Sequence, residues 1–466
     1  MTPSVENDAG APGTADALQK PAGMFRLADG QNLIVTFILV SSLFLLWGFC
    51  NGMIDVMDKH FQDELHLTLA QSAWVQFAHY LGYFLMALPA GWLAVKLGYK
   101  GGIIAGLLMV AVGGFWFIPA THIAQFWAFL VGVCVIAAGL TFLETIANPY
   151  TTVLGPRESA ATRINLAQSC NGIGWIFGPI AGREFFYSIN AAGEKTGAQT
   201  LWIPYVAVAV VVLVLAVVFF FAKVPDVRTR DDYQLGGDDD ETARKRSIWS
   251  QPHFVLAVAA QFLYVAAQSG IFSFFINYMT SQVPAIPAVW DSWAIAKITA
   301  VGADGFRHIT DGGAAALASV GFFCFLVGRF SGAAILKKCA AHKVLGLYAL
   351  LNVLTCAVVF MKLGWVSVAA VFASYFFMSI MFPTIFALGI HGLGPRAKRA
   401  SAYIVMAIMG GAIVPKVMGA VGDHYGMSRA FIVPLACFLF VAWYGFSWTK
   451  LSKTGGVVGL AANKGH

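Results

Sequence analysis

Charge is scarce in this sequence. Asp, Glu, Lys and Arg together make up 11% of 466 residues, against roughly 25% in an ordinary soluble domain. With a hydrophobic fraction of 58%, that scarcity excludes a soluble globular protein and implies a surface built for lipid. Cysteine pairs are also missing. Cys50, Cys134, Cys170, Cys324, Cys339, Cys356 and Cys437 stand singly, without a C-x-x-C, and only Cys339 has a histidine nearby, His342. One such pair supplies too few ligands, so no disulfide framework and no metal site is expected. No nucleophile, base and oxyanion set is visible either, so no enzyme and no cofactor is expected. The net charge of +7 is spread over loops, which gives no reason to expect nucleic acid. The first residues are polar and rich in Ala, Gly and Pro, with four acids against Lys20 and Arg26. They read as a disordered tail and lack the pattern of a signal peptide.

Long apolar runs are what the sequence has in abundance. Taking about 20 apolar residues as the length of a crossing helix, twelve spans can be drawn. The first six are 32–57, 70–96, 101–120, 123–150, 160–183 and 200–222; the second six are 252–279, 313–335, 343–361, 365–390, 400–422 and 428–449. The expected fold is therefore an all-α membrane protein of twelve transmembrane helices in two six-helix bundles, 32–222 and 252–449. A charged linker, 223–251, joins them, and polar tails, 1–31 and 450–466, flank them. Residues 280–312 form the longest outer loop, which includes V-W-D-S-W and could form a short helix over the entrance. The weakest span is 160–183, which carries Arg163, Asn165, Gln168 and Asn171. With the N-terminus placed inside, 21 of the 30 Lys and Arg fall in inward loops and tails and 7 in outward loops. The positive-inside rule then puts both termini in the cytoplasm.

Two carboxylates interrupt this pattern. Glu144, in F-L-E-T-I-A-N-P, is the one charge in the run 123–150, and Asp55 ends the first apolar run in W-G-F-C-N-G-M-I-D. An acid at the middle of a membrane helix costs about 2.5 to 3.5 kcal/mol on insertion scales, so it usually faces a cavity or a partner. The plainer alternative is that each pairs with a buried base or caps a helix end. Other polar residues line up with them. Trp47, Asn51 and Asp55 share a helical face at i, i+4, i+8, and Gln76, His79, Tyr80 and Tyr83 follow the same logic in the second span. Glu144 and Asn148, Gln168 and Asn171, and Gln261, Tyr264 and Gln268 complete five clusters. Amides, phenols and carboxylates beside aromatic rings suit a neutral, hydroxyl-rich ligand. The plainer reading of the amides is helix-to-helix hydrogen bonding, worth roughly 0.6 kcal/mol per contact.

The two halves repeat. L-G-P-R at 154–157 returns at 393–396, each time after an apolar run containing a proline, Pro149 and Pro383, and F-G-P-I-A-G around Pro179 is matched by I-V-P-K-V-M-G around Pro415. Parallel repeats of six spans describe the halves of a major facilitator transporter, whose substrate site lies between them at mid-membrane. The chain resembles the fucose and glucose/galactose proton symporter family of that superfamily. The likeness is carried by L-W-G-F-C-N-G-M-I-D-V (46–56), L-G-Y-F-L-M-A-L-P-A-G (81–91), A-A-G-L-T-F-L-E-T-I-A-N-P-Y-T-T-V-L-G-P (137–156), R-I-N-L-A-Q-S-C-N (163–171), A-Q-F-L-Y-V-A-A-Q (260–268) and F-P-T-I-F-A-L-G-I (382–390). The resemblance implies that Asp55 is the proton-coupling aspartate, Glu144 the cavity glutamate and Asn171 an asparagine lining the sugar site. Ile54, Met381 and His79 depart from the family's usual residues, and those departures bear on which sugar is carried.

The function expected is import of a monosaccharide of the fucose, glucose or galactose type with protons, by alternating access in a bacterial inner membrane. The protein is expected to act as a monomer in the bilayer. Asp55 and Glu144 are the candidate proton-coupling groups, and Trp47, Asn51, Gln76, His79, Tyr83, Glu144, Asn148, Gln168, Asn171, Gln261, Tyr264 and Gln268 the candidate sugar ligands; sodium is the alternative coupling ion. Two competing readings remain at this point. A proton-driven exporter would use G-I-G-W-I-F-G-P-I-A-G (172–182), whose small residues are equally explained by close helix packing. A non-transporting sugar sensor would ordinarily append a large signalling domain, which the short tails do not supply. Orientation is directly testable. Single cysteines at Gly237 and Gly302 in a Cys-free background are expected to react with an impermeant maleimide from opposite sides, 237 from the cytoplasm. Reaction of both from one side contradicts the twelve-span topology.

Overall fold

The computed structural model describes residues 24–25, 32–155, 160–187, 202–222, 224, 247–289, 292–336, 338–393 and 397–452. Both tails beyond those limits and most of the 223–251 linker lie outside the described residues. The first half is built from α1 (Ile34–Leu65), the one-turn α2 (Leu69–Ser72), α3 (Trp74–Ile123), α4 (Phe126–Val153), α5 (Ala160–Phe186) and α6 (Trp202–Phe221). α3 is two spans in one run. It is broken at Gly98, where φ is 70°, a left-handed conformation that glycine adopts without steric cost. Twelve crossing segments result among the described residues, and ten of them are long and apolar enough to span by length and composition alone. The other two are the first part of α3 and α5, the span whose polar residues made it the weakest in sequence. Apolar side chains on the outer faces, such as Val210, Val214, Val217 and Phe221 of α6, are exposed, as a lipid-facing surface requires.

In the second half, three of the six spans are interrupted. α7 (Pro252–Ser273) breaks at Phe274 before α8 (Phe275–Gln282), α12 (Trp365–Met378) breaks at Ser379 and Ile380 before α13 (Met381–Ile390), and α14 (Ala397–Met406) passes through a 3₁₀ turn, Ala407–Met409, into α15 (Gly410–Tyr425). The uninterrupted members are α10 (Asp311–Leu336) and α11 (Ala341–Phe360), and α17 (Ile432–Ser452) follows the single turn α16 (Met427–Ala430). A broken helix in lipid must re-satisfy its freed backbone groups. At the α12 break the Tyr264 hydroxyl donates to the Met378 carbonyl at 3.0 Å, and Ser379 donates to Phe376 O at 2.7 Å.

The loop 280–312 contains the expected short helix, α9 (Trp293–Ile298), whose N-cap Ser292 accepts from Ile295 N–H. It also folds into a three-stranded antiparallel sheet that sequence reading did not anticipate, β1 (Ile286–Pro287), β2 (Thr299–Val301) and β3 (Phe306–Ile309) in the order β1-β3-β2. Strands of two to four residues are too short for an alternation to be read.

Two sequence expectations need correction. The first span does not stop at 57: α1 continues to Leu65, because its last two turns bury His60 against Phe186 and Phe61 against Phe129. Arg163, counted as a loop charge, is a fully buried residue of α5. Its guanidinium donates to the carbonyls of Thr151, Met24 and Gly155 at 2.9, 3.0 and 3.2 Å.

α1 and α5 touch backbone to backbone. A Cβ at Gly52 would meet the Trp175 carbonyl at 2.9 Å, and one at Gly178 would meet Gly52 Cα at 2.7 Å. The glycines of the 172–182 motif are therefore accounted for by close packing on α1.

Polar contacts between the halves close one end of the bundle, the end at which α1 finishes. Gln62 and Asn277 exchange amide hydrogen bonds, and Gln62 Nε2 also donates to Ser72 Oγ at 2.8 Å. Asp423 of α15 accepts from the first two amides of α2, Leu69 N at 2.9 Å and Ala70 N at 3.0 Å. Lys416 lies 3.9 Å above the Trp74 ring, Lys59 Nζ is 3.9 Å from Asp311, and Arg183 donates to Lys297 O at 3.1 Å.

Candidate functional site

The sequence-predicted residues of the first half converge beneath that closed end. Trp47 Nε1 donates to the Tyr83 hydroxyl at 2.6 Å, tying α1 to α3. Asn51 is buried, with no partner for its Oδ1, and lies beside Tyr83. The His79 ring sits 5.0 Å from both the Tyr80 and the Tyr83 rings, buried, with no partner for Nδ1. Glu144, one helix away, is half-buried and close to both tyrosines. Its carboxylate has no hydrogen bond or ion pair among the described residues, so it remains available to a ligand. Asn148 donates to the Glu144 carbonyl at 3.1 Å and accepts from Gln168 Nε2 at 2.9 Å, which links α4 to α5 and holds that row in register.

One turn closer to the seal is a second polar group. Gln76 is buried, and its Nε2 donates to Asp55 Oδ1 at 3.0 Å and to Asp58 Oδ2 at 3.2 Å. Its Oε1 accepts from Ser269 Oγ of α7 at 3.4 Å, and Ser269 also donates to Gly411 O at 3.2 Å. Gln76 therefore touches two carboxylates of the first half and a hydroxyl of the second. Asp58 was missed in sequence because it falls one residue beyond the span drawn there, 32–57. Its spacing of i, i+3 from Asp55 places it on the same face once the helix is known to continue. Tyr80 and Ser269 were likewise not chosen as site residues. The Tyr80 ring rests against Gly411, where a Cβ would collide with it, so α3 and α15 meet through an aromatic face and a glycine.

Two predicted residues direct a polar atom elsewhere: Asn171 donates to the Phe44 carbonyl at 3.2 Å, and Tyr264, fully buried, donates at the α12 break. Gln261 is fully buried with neither amide atom partnered. Gln268 is half-buried on α7.

A glutamate and an aspartate inside a helical membrane bundle, at the junction of two six-helix halves, with one end sealed, is a transporter's arrangement. The Major Facilitator Superfamily profile matches residues 33–303. The chain belongs to the major facilitator superfamily. Within the superfamily it is 36% identical over 441 residues to the L-fucose-proton symporter of Escherichia coli (strain K12), covering 91% of this chain and 94% of that one. It is 33% identical over 417 residues to a glucose/galactose transporter of Brucella abortus, covering 88% and 92%. Among solved structures, a crystal structure of an MFS transporter, FucP, in the outward conformation matches with a TM-score of 0.63 at 34% identity, covering 89% of this chain and 99% of that one. These likenesses place this facilitator in the fucose and glucose/galactose proton symporter family.

The unpaired Glu144 generates a prediction. Glu144→Gln keeps the shape and removes the charge, and hydrogen bonds to a charged group are worth about 1.5 to 3 kcal/mol. Solute affinity is expected to fall about tenfold or more, by equilibrium binding to purified protein, with insertion and thermal unfolding unchanged. Near-normal affinity in the Gln variant would assign Glu144 a structural role.

Proposed function

We propose that this protein imports a monosaccharide of the fucose, glucose or galactose type together with protons. The observation that carries the reading is the near full-length identity to the E. coli L-fucose-proton symporter, 36% over 441 residues. The site geometry supports it. Glu144, Asn148, Gln168, His79, Trp47, Asn51 and Tyr83 offer donors, acceptors and ring faces to a polyhydroxylated ring, with Asn171, Gln261, Tyr264 and Gln268 as further ligands. Asp55 carries the coupled proton, and Gln76 connects it to the second half through Ser269.

The protein is a multi-pass inner-membrane protein. We infer from its loop charges that both termini are cytoplasmic, so the sealed end faces outward. Residues 32–222 and 252–449 act as the two rocking units, the linker 223–251 joins them on the cytoplasmic side, and one copy suffices for transport. In the outward-closed arrangement Asp55 and Asp58 are shielded by Gln76 and the second half. Rocking the halves apart at that end separates Gln62 from Asn277 and Asp423 from α2, and it exposes the carboxylates to external water. Proton and sugar load there, and the reverse motion carries both inward.

The test is uptake in proteoliposomes from a panel of labelled monosaccharides, with and without an imposed inward proton gradient in sodium-free buffer. At least one sugar of the fucose, glucose or galactose type is expected to accumulate only with the gradient. Asp55→Asn mimics the loaded, neutral form, so it is expected to exchange sugar between equal compartments yet not to concentrate it. Loss of exchange and uptake together would assign Asp55 to binding or folding. Retained accumulation would move the proton elsewhere.

A further inference from the structure

Asp58 is the most deeply buried carboxylate among the described residues, at 0% exposure, and the function just argued gives it no part. We propose that Asp58 is a second proton-binding group of the coupling site, sharing the coupled proton with Asp55 across the Gln76 amide. The proposal rests on the proton-symport reading and names a further residue within it.

Three observations lead there. First, the two N–H bonds of one amide nitrogen are divided between the two aspartates, at 3.0 and 3.2 Å. The other oxygens, Asp55 Oδ2 and Asp58 Oδ1, are buried and have no partner. Second, no basic side chain forms an ion pair with either among the described residues. Lys59, the next residue along the chain, is turned away to Asp63 at 2.6 Å and to Asp311. Third, the second half presents a donor to the pair. The Ser273 hydroxyl of α7 is fully buried, has no hydrogen-bond partner meeting ordinary geometry, and lies beside Asp58.

Two buried histidines are nearby: His60, two residues along α1, packs on Phe61, Phe186 and Tyr187, and His79 of α3 packs on Tyr80 and Tyr83; the other neighbours are uncharged or acidic. α3 contributes Gln76 and Tyr80. Tyr187, just beyond α5, donates to Val56 O at 3.0 Å, and Tyr205 of α6 donates to Met57 Sδ at 2.9 Å. Asn277 of α8 is held by Gln62, and Asp311 of α10 faces Lys59. Asp63 is on the same helix as Asp58, and Glu144 of α4 is close to Tyr80.

Two ionised carboxylates that share one donor in a dry site repel each other, and a single proton between them removes the repulsion. Because Gln76 donates to both, the proton can rest on either aspartate without rearranging the amide. Gln76 Oε1 joins the pair to the second half through Ser269, and Ser273 stands beside Asp58 from the same helix, so opening of the sealed end breaks that bond, draws the nearby hydroxyl away and admits water at the same moment. The proton then passes between a carboxylate oxygen and that water.

The test is the pH profile of gradient-driven sugar uptake in sodium-free proteoliposomes, read by its position rather than its height. In Asp58→Asn the repulsion is gone, Asp55 binds its proton less readily, and the alkaline limb is expected to move to lower pH by about one unit. Asp58→Glu is expected to restore it. Ser273→Ala removes a donor that favours the ionised form and is expected to move the limb to higher pH, which keeps the proposal testable should Asp58→Asn fail to insert. Profiles of Asp58→Asn and Ser273→Ala that superimpose on wild type overturn the proposal, leaving Asp58 a buried structural acid. Failure of the symport reading itself appears differently, as wild-type protein whose uptake ignores the proton gradient.

Discussion

The hydrogen bonds of Gln76 are the constraint on which the rest of this structure depends. Carboxylates inside a membrane bundle are costly, and this chain places Asp55 and Asp58 one turn apart with no ion-pair partner among the described residues. A neutral amide satisfies one oxygen of each without neutralising either. That leaves the site responsive to a proton, where a lysine or arginine in the same place would have fixed its charge permanently. The amide's remaining acceptor is satisfied from the opposite half by Ser269. The carboxylates of the first half and the α7 hydroxyl and α15 backbone of the second are thereby parts of one hydrogen-bonded chain.

The surrounding architecture serves that chain in two ways. In the first half, near the carboxylates, α1 and α5 pack backbone to backbone around Gly52 and Gly178. The second half is segmented, with breaks in α7–α8, α12–α13 and α14–α15. At the α12–α13 break carbonyls are satisfied by hydroxyls, that of Tyr264 from α7 to Met378 O and that of Ser379 to Phe376 O.

Much of this was legible in the sequence, and the residues say why. Glu144 stood out because it is the one charge in a long apolar run, and Trp47, Asn51 and Asp55 declared their shared face by spacing alone. The Gly98 break was legible as two separate spans, 70–96 and 101–120. Asp58 was not, because hydropathy ends a helix where charge begins. The segment D-K-H-F-Q-D-E-L reads as a loop until His60 and Phe61 are seen packed on α5 and α4. Polar residues in spans were found readily, but whether their atoms were free was not. Asn171 and Tyr264 each direct one to a backbone carbonyl, while Glu144 and Asn51 keep oxygens available. Sequence spacing carries position and says nothing of which hydrogen bonds the backbone has already claimed. The small sheet in the 280–312 loop was invisible for a different reason, since pairing between such short strands is a tertiary event.

The central claim is that sugar movement and proton movement are one event at these carboxylates. It is tested most directly by adding sugar, without any imposed ion gradient, to sodium-free proteoliposomes in weak buffer and following external pH. The account predicts that sugar entry alkalinises the external medium, that the signal saturates with sugar concentration, and that a protonophore abolishes it while sugar still enters. Sugar entry through the protein with no accompanying change in external pH would contradict it.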